Sequence, residues 1–232
     1  MATVKISKYL SEAGIASRRK AEILVTQGMV FINGKPMTDV AARIDPEHDH
    51  VTYDGQPVKI TKRVYYLLNK PLGYTSTTAD RHAEQLITQL VPQIPKVWPV
   101  GRLDKLTSGL ILLTNDGRLT QKITHPRYQI EKEYEIVTSR PLAATDIDML
   151  QRGIRLEDGF VKPDLFKQIR PGVYRIVIHS GKKRVVRRLI EKTGKSVSGL
   201  KRVRIGRLLL ENIPSGKWRS LTPEEISKLL AK

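Results

Sequence analysis

The sequence contains no cysteine. Disulfide bonds and zinc sites built on thiolates are therefore excluded, and the composition is compatible with a reducing compartment such as the cytoplasm. No run of about 18 apolar residues is present, so no membrane-spanning helix is expected. Residues 1–10 also lack the apolar stretch of a secretory signal peptide.

Several motifs of common enzymes are missing as well. The sequence has no Walker-type phosphate loop, no GxGxxG dinucleotide loop and no GxSxG nucleophile elbow. Functions that depend on ATP, NAD or a serine nucleophile therefore lack support. The histidines show no helical spacing of metal ligands. We expect neither a cofactor nor a bound metal.

Acidic residues are scarce relative to basic ones. The chain has 41 Lys and Arg against 23 Asp and Glu, a formal net charge of +18. Such an excess favours a polyanionic partner, because binding releases the counterions of a nucleic acid. A protein that is merely basic and soluble is the alternative. Residues 181–207 contain eleven Lys or Arg and a single acid, Glu191, and we predict that they form a basic face of folded structure.

The first fifty residues have the pattern of two short helices and a β-hairpin. Ser17 can cap the second helix, which Gly28 ends, and Asn33-Gly34 is typical of a tight hairpin turn. Apolar residues recur at helical spacing in the first helix: Ile6, Leu10 and Ala13. With a linker near residues 61–63, we predict a small module at 1–60 and a second domain at 61–232.

Four basic residues of the module are expected to lie near one another: Arg18, Arg19, Lys20 and Lys35. The first three open the second helix, where side chains and backbone N–H groups can both bind phosphate. An ordinary solvated helix face explains the same pattern equally well.

The second domain mixes strands and helices without a regular βαβ rhythm. Strands are predicted at 64–68, 110–114, 134–137, 173–179 and 203–210, and helices at 144–152 and 184–192. Residues 222–225, Thr-Pro-Glu-Glu, form a capping box that begins a last helix. This order predicts an α+β fold around a largely antiparallel sheet.

Asp104 is the first candidate for a chemical role. It follows Gly101 and Arg102 after an apolar approach. If the backbone is extended, Arg102 and Asp104 face the same side. The arginine would then keep the carboxylate ionised and nucleophilic. A surface Arg–Asp pair in a loop is the alternative.

Two later segments also hold candidates. Tyr134, between two glutamates on a predicted strand, could stack on a base or transfer a proton, or it could be half-buried structure. Gly181 precedes a helix start rich in arginine, which suits phosphate or carboxylate. That helix has an apolar stripe, so its arginines could equally form a solvated face.

At these residues the sequence resembles the RsuA/RluB-type pseudouridine synthases. Residues 101–115, GRLDKLTSGLILLTN, resemble that family's long signature, and the sister RluA-type family usually begins it with histidine. Residues 69–73, 132–134 and 181–189 resemble its first, second and third motifs. Residues 3–50 resemble the alpha-L RNA-binding module first described in ribosomal protein S-four. The resemblance covers nearly the whole chain.

The resemblance implies a role for particular residues. Asp104 matches the essential aspartate, and Arg102 matches the arginine that helps to displace the target base from its stack. Tyr134 matches the tyrosine that packs on the uracil and can take its proton. Arg187 matches the arginine that pairs with the aspartate. Val185 departs from the family pattern, which often has glutamine or glutamate there.

The implied activity is isomerisation of uridine to pseudouridine in structured RNA, with ribosomal RNA as the expected substrate. The uridine must leave its stack, and no redox step or group donor is needed, so no cofactor is expected. We expect a cytoplasmic monomer that acts on a ribosomal subunit or assembly intermediate, without a membrane partner. The predicted RNA-binding residues are Arg18, Arg19, Lys20, Lys35, Lys70, Lys182, Lys183, Arg184 and Arg188.

Two other classes of function remain open. A non-catalytic RNA-binding or ribosome-assembly protein would use the same module and charge, but it would not need Asp104, Tyr134 and Arg187 together. A glycosidase that excises a base with Asp104 would release free uracil, whereas an isomerase conserves the mass of the RNA.

Overall fold

A computed structural model describes residues 3–77 and 85–230. The chain divides into two compact units. The first comprises Met1–Val64 with two later segments, Ile94–Val97 and Asn115–Gly117, and the second comprises the remaining residues. Those two later segments belong to the second domain in the sequence prediction. None of the described helices is long and apolar enough to cross a membrane.

The first unit has two helices and short strands. Its elements are β1 (Val4–Lys5), α1 (Ile6–Glu12), α2 (Arg18–Thr26), β2 (Val30–Ile32), β3 (Lys35–Met37), β4 (Arg43–Ile44), β5 (Val51–Tyr53) and β6 (Gln56–Pro57). One sheet has the order β3-β2-β5-β6, and β1 pairs with β4. Its core is formed by residues of both helices and of the strands, including Ile6, Leu10 and Val25.

Local signals in the sequence account for these elements. The Ser17 side chain accepts a hydrogen bond from the Lys20 N–H at 3.4 Å, which caps α2. Asn33 and Gly34 both have positive φ, 51° and 77°, as the tight turn between β2 and β3 requires. The predicted pair of helices and the hairpin are confirmed.

The second unit is built on one large sheet. From residue 65 onward, the strands are β7 (Tyr65–Lys70), β8 (Trp98–Pro99), β9 (Ser108–Thr114), β10 (Lys132–Thr138), β11 (Ile154–Leu156), β12 (Gly159–Val161), β13 (Leu165–Arg170), β14 (Val173–Ile178), β15 (Val197–Ile205), β16 (Leu208–Leu209) and β17 (Trp218–Ser220). The α-helices are α3 (Gly117–Thr124), α4 (Ala144–Arg152), α5 (Val185–Glu191) and α6 (Pro223–Leu230). Two 3₁₀ helices span Ile87–Leu90 and Pro126–Tyr128.

The large sheet has the strand order β13-β14-β10-β15-β9-β7-β17, with β16 on β15 and β8 on β9. Neighbouring strands run antiparallel except β15 and β9, which are parallel. The predicted α+β fold with a largely antiparallel sheet is confirmed. Leu67, Leu110, Leu112 and Ile205 of the sheet belong to an apolar core that also includes Leu119.

The prediction of one strand over residues 203–210 is wrong. The structure has a longer strand, β15, that begins at Val197, and then a turn before β16. Gly206 lies in that turn with a φ of 54°, and Arg204 and Ile205 pair back onto Leu209 and Leu208. A glycine within an apolar run thus marks a hairpin rather than a strand interior.

The parallel pair depends on Gly109 of the 101–115 segment. A Cβ atom at Gly109, whose φ is 101°, would lie 2.2 Å from the Arg202 carbonyl oxygen. No L side chain can occupy that space without moving the backbone. Gly109 therefore allows β15 to lie directly beside β9, which brings Arg202 next to this segment.

Candidate active site

A cavity of about 310 Å³ lies within the second unit, where the 101–115 segment meets β10, β15 and the start of α5. Arg102, Asp104 and Tyr134 all line it. Asp104 is the one acidic side chain among its lining residues in the described part of the chain. Six lining side chains are cationic: Arg102, Lys132, Lys182, Lys183, Arg184 and Arg202.

Asp104 lies in the loop between β8 and β9, where it is half-buried. Arg102 is exposed and Leu103, between them, is buried. Arg102 and Asp104 therefore face one side, as the spacing predicts, although the backbone there is a loop and not a strand end. The Ser76 hydroxyl holds Leu103 from both directions, because it donates to the Leu103 carbonyl at 2.9 Å and accepts from its N–H at 3.2 Å.

The carbonyl groups of the following four residues are also bound. The Asp104 carbonyl accepts from the Thr107 N–H at 2.9 Å, and the Lys105 carbonyl accepts from the Gly73 N–H at 3.0 Å. The Leu106 and Thr107 carbonyls accept from the side chains of Arg187 and Lys70. Five consecutive carbonyls of the loop, from residue 103 to residue 107, are therefore hydrogen-bonded. This network fixes the backbone that carries the Asp104 carboxylate.

Lys70 is fully buried. Its ammonium donates to the carbonyls of Pro71 at 3.0 Å and Thr107 at 2.8 Å. Burial lowers the pKa of Lys70 to about 8, and the nearby Asp104 charge opposes that shift. The prediction that Lys70 contacts RNA is wrong, because a buried ammonium has no surface to offer a phosphate. Lys70 instead stabilises the loop that carries Asp104, through its hydrogen bond to the Thr107 carbonyl.

Arg187 is also inside the protein, with 6% of its surface exposed. It donates to the carbonyls of Leu106 at 2.6 Å and Val197 at 3.0 Å, and no ion pair joins it to Asp104 in the described part of the chain. The resemblance implies a direct pair between Arg187 and the Asp104 carboxylate. In the structure Arg187 instead binds the carbonyl of Leu106, two residues after Asp104. Burial lowers the pKa of Arg187, the Arg184 charge adds to this, and the Asp104 charge opposes it.

Tyr134 and Arg202 lie side by side on adjacent strands of the sheet. They are directly paired residues on β10 and β15, so their side chains lie on the same face. Tyr134 is 9% exposed and its ring forms part of the cavity wall. Arg202 is not among the site residues that the sequence predicts. Its position two residues after the buried Leu200, on the inward side of the strand, is the signal that could have identified it.

Comparisons with known proteins follow the same division of the chain. The family model described as "RNA pseudouridylate synthase" matches residues 64–192, which include Asp104, Tyr134 and Arg187. The chain belongs to the RNA pseudouridylate synthase family. A second family model, described as "S4 domain", matches residues 4–49. The predicted family, its RNA-binding module and its class of enzyme, an isomerase, are confirmed.

Several relatives are similar over nearly their whole length. An "Uncharacterized RNA pseudouridine synthase" of Aquifex aeolicus is 41% identical over 99% of this chain and 94% of the relative. "Ribosomal large subunit pseudouridine synthase B" of Bacillus subtilis is 38% identical over 98% of this chain and 96% of that protein. A solved structure described as "Crystal structure of pseudouridylate synthase" is 29% identical, covers 97% of this chain and 99% of that chain, and has a TM-score of 0.71.

The S4 domain presents its predicted RNA-binding residues to solvent. Arg18, Arg19, Lys20 and Lys35 are all exposed. None of them has an ion pair in the described residues of the chain. Arg18, Arg19 and Lys20 form the first turn of α2. Their proximity to Lys35 and their contact with phosphate stay predictions.

More than half of the other cations of residues 181–207, besides the buried Arg187 and Arg202, form ion pairs with acids. The Asp158 carboxylate accepts two hydrogen bonds from Arg188, both at 2.9 Å, and lies 3.7 Å from the Lys182 ammonium. Other cations of residues 181–207 are paired in the same way: Arg184 with Glu191, Lys195 with Asp146, and Arg204 with Glu131 and Glu133. The segment's charge of +10 therefore overstates its basic surface, since Arg187 and Arg202 are buried as well.

Helix α5 itself begins one residue later than predicted, at Val185. Val185 is 6% exposed and lines the cavity, so this chain has an apolar surface where its family often has a polar side chain. Arg184 precedes it with a left-handed backbone, φ 52°. Val186 and Ile190 are buried, which confirms the predicted apolar stripe.

Proposed function

We propose that this protein isomerises specific uridines of ribosomal RNA to pseudouridine, with Asp104 as the catalytic carboxylate. One observation carries the proposal. Asp104 is the single acid among the described residues that line a basic cavity, and its loop is hydrogen-bonded at five consecutive carbonyls. A carboxylate held in this way is positioned for chemistry on a bound nucleotide, because little motion of its backbone remains.

The choice of ribosomal RNA is supported by the relatives and by the charge. The name of the Bacillus subtilis relative gives the large ribosomal subunit as its substrate. This chain carries a net charge of +18 and an S4 domain with free cations on its surface. We infer that a monomer binds the RNA within a ribosomal subunit or an assembly intermediate, in the cytoplasm.

The reaction can be written with the residues of the cavity alone. The bond between C1′ and N1 breaks, the freed base rotates, and a bond between C1′ and C5 forms. C5 loses a proton and N1 gains one, so atoms and electrons balance without a co-substrate. The Asp104 carboxylate attacks the ribose or the ring, or assists deprotonation of the sugar. Tyr134 stacks on the base, a contact worth about 1–3 kcal/mol, and can accept the C5 proton.

Entry of the uridine requires base flipping. Arg102 is exposed at the cavity and is the residue that we assign to displacing the base from its stack. Lys182, Lys183 and Arg184 line the same cavity and are suited to the phosphates on either side, once Lys182 and Arg184 leave their ion pairs with Asp158 and Glu191. Arg188 is bound to Asp158 at 2.9 Å, so its phosphate contact requires that ion pair to open.

Pseudouridine mapping in ribosomal RNA tests this proposal. We expect a strain that lacks the gene to lose pseudouridine at one or a few positions, and we expect the wild-type gene to restore them. The purified protein should then form pseudouridine in an unmodified transcript of that region without release of free uracil. If the deletion strain keeps every ribosomal pseudouridine, the substrate is wrong; if free uracil appears, the reaction is wrong.

A further inference from the structure

Arg202 is a buried cation of the cavity that the proposed reaction does not yet use. We infer that Arg202 is a catalytic residue that donates a hydrogen bond to a carbonyl oxygen of the uracil ring while the base is detached from the ribose. This inference rests on the proposed function and adds a stabiliser of the negative charge that develops on the base.

The guanidinium of Arg202 has N–H groups that are free to donate to a ligand. Arg202 is 3% exposed and lines the cavity with Asp104 and Tyr134. Its Nε donates to the Leu110 carbonyl at 2.8 Å, which fixes the plane of the group. Its Nη2 is buried and has no hydrogen-bond partner among the described residues. A buried donor without a partner is destabilising, and an incoming acceptor would satisfy it.

The strand pairing places this donor beside the substrate. Arg202 is the direct partner of Tyr134 on the neighbouring strand, and both side chains lie on one face of the sheet. The edge of a base that is stacked on Tyr134 therefore points towards the residues that surround the Tyr134 ring, and Arg202 is one of them. Uracil carries two carbonyl oxygens on its ring edge, O2 and O4. A guanidinium in this position can reach an edge without displacing the stack.

A second cation adds to the positive potential. Lys132 lines the cavity and donates to the Ile130 carbonyl at 2.8 Å. Burial and, to a smaller extent, the Arg202 charge together lower the pKa of Lys132 to about 8. Two cations that repel each other in a partly buried site, with one acid nearby, favour an anionic occupant. A neutral uridine does not supply that charge, whereas the detached base does.

The chemistry of the bond cleavage requires such an anion. When the bond between C1′ and N1 breaks, the bonding electrons stay with N1 and are shared with O2 and O4. Donors that are already oriented towards the position of developing charge stabilise it without reorganisation. Removing one donor of this kind typically costs about 10²–10³ in rate. Asp104 begins the reaction, and Arg202 stabilises the detached, anionic base that results.

The first test compares two arginines of β15. The single-turnover rate at saturating RNA and the Kd for RNA are measured for Arg202→Gln, Arg202→Lys and the control Arg204→Gln. Arg204 lies two residues further along, is bound to Glu133 at 2.8 Å and does not line the cavity. We expect Arg202→Gln to lower the rate about 100-fold, with Kd within twofold, whereas Arg204→Gln stays within about threefold of wild type.

The Lys variant keeps the inference testable if the Gln variant does not fold. A lysine retains the charge and loses the planar fork, so its rate should fall between those of Arg202→Gln and the wild type. A rate loss equal to that of Arg204→Gln overturns the inference. A loss that falls wholly on Kd also overturns it, because Arg202 would then be a phosphate contact.

Substrate analogues identify the acceptor. Sulfur is a weaker hydrogen-bond acceptor than oxygen, so RNA with 2-thiouridine or 4-thiouridine at the target should react more slowly with the wild-type enzyme. If Arg202 donates to that atom, the same analogue should add little further loss in Arg202→Gln. A purely structural role of Arg202 predicts independent losses at both positions, and that result contradicts the inference. Pseudouridine formation by the wild-type protein on ordinary RNA separates this failure from failure of the proposed function.

Discussion

The cations of the S4 domain and those of residues 181–207 look alike in the sequence but differ in the structure. Arg18, Arg19 and Lys20 are exposed, and no acid of the described chain pairs with them. In residues 181–207, by contrast, Arg187 and Arg202 are buried and most other cations are bound to acids. The first group can bind RNA by counterion release, whereas much of the second builds the active site.

The difference shows that the number of basic residues does not measure the surface available to RNA. A cation that is buried, or whose charge is paired with a carboxylate, is not available to the phosphates of RNA. Arg187 illustrates this, since it holds the loop that carries Asp104. A substitution of a buried cation should therefore affect the chemical rate. A substitution of an exposed cation should affect affinity and its dependence on salt.

The largest expected effect of this contrast is at Arg187. Arg187→Ala removes the donors to Leu106 and Val197, which frees the loop next to Asp104. A displacement of about 1 Å in a catalytic group can cost about 100-fold in rate. We expect a loss of that size in the single-turnover rate at saturating RNA. Lys192→Ala, an exposed cation at the end of the same helix, should stay within about threefold, and equal losses in both variants would contradict the contrast.

Lys70 should reveal its burial through the pH dependence of stability. Its pKa is lowered to about 8 from 10.5, so the unfolded chain binds more protons between those values. The free energy of unfolding should therefore rise with pH through this window, by about 3 kcal/mol relative to Lys70→Met. Lys132 titrates in the same range, but it is present in both proteins and cancels in the difference.

Urea unfolding from pH 7.5 to pH 10.5 measures the Lys70 effect. The stability difference between the wild type and Lys70→Met should be constant below about pH 8 and should then change in favour of the wild type. A difference that does not vary with pH would show that Lys70 is accessible to water, which would return it to the candidates for RNA binding.

The S4 domain should contribute affinity without chemistry. In the triple variant Arg18→Gln, Arg19→Gln, Lys20→Gln, each lost phosphate contact should flatten the log–log dependence of RNA affinity on salt by about 0.7–0.9. The single-turnover rate at saturating RNA should not change. Fluorescence anisotropy at several salt concentrations measures the slope. An unchanged slope in the folded triple variant would mean that these exposed cations do not contact phosphate.

The smallest expected effect is a gain in RNA affinity when Asp158 is substituted. Its carboxylate binds Arg188 and lies 3.7 Å from the Lys182 ammonium, so Asp158→Asn should remove the negative charge that is paired with these two cations. The salt slope of RNA binding should steepen by about 0.7–1.8, one or two contacts, and the affinity at low salt should rise. An unchanged slope would indicate that these ion pairs already open when RNA binds.

The sequence predicts the parts of the fold that depend on neighbouring residues. The cap at Ser17, the Asn33-Gly34 turn and the capping box at Thr222 are formed as predicted, because each involves atoms within a few residues. The side-by-side placement of Arg102 and Asp104 on one cavity wall also follows from their spacing.

The parts that the sequence does not predict depend on distant residues. Lys70 binds the carbonyl of Thr107, which is 37 residues away, and Arg187 binds that of Leu106, 81 residues away. Arg202 reaches Leu110 across 92 residues. Whether a basic side chain is buried beside a loop or exposed to solvent is decided by these tertiary contacts, which periodicity and local propensity do not specify.

Asp104 is the residue on which the proposed reaction depends most, and tritium release from RNA labelled at uridine C5 tests its role directly. Asp104→Asn is nearly isosteric and should keep the fold and the RNA affinity, while release falls by roughly four orders of magnitude or more. Asp158→Asn removes an acid outside the cavity and should release tritium at close to the wild-type rate. Release from a folded Asp104→Asn protein at a rate near that of the wild type would contradict the catalytic assignment.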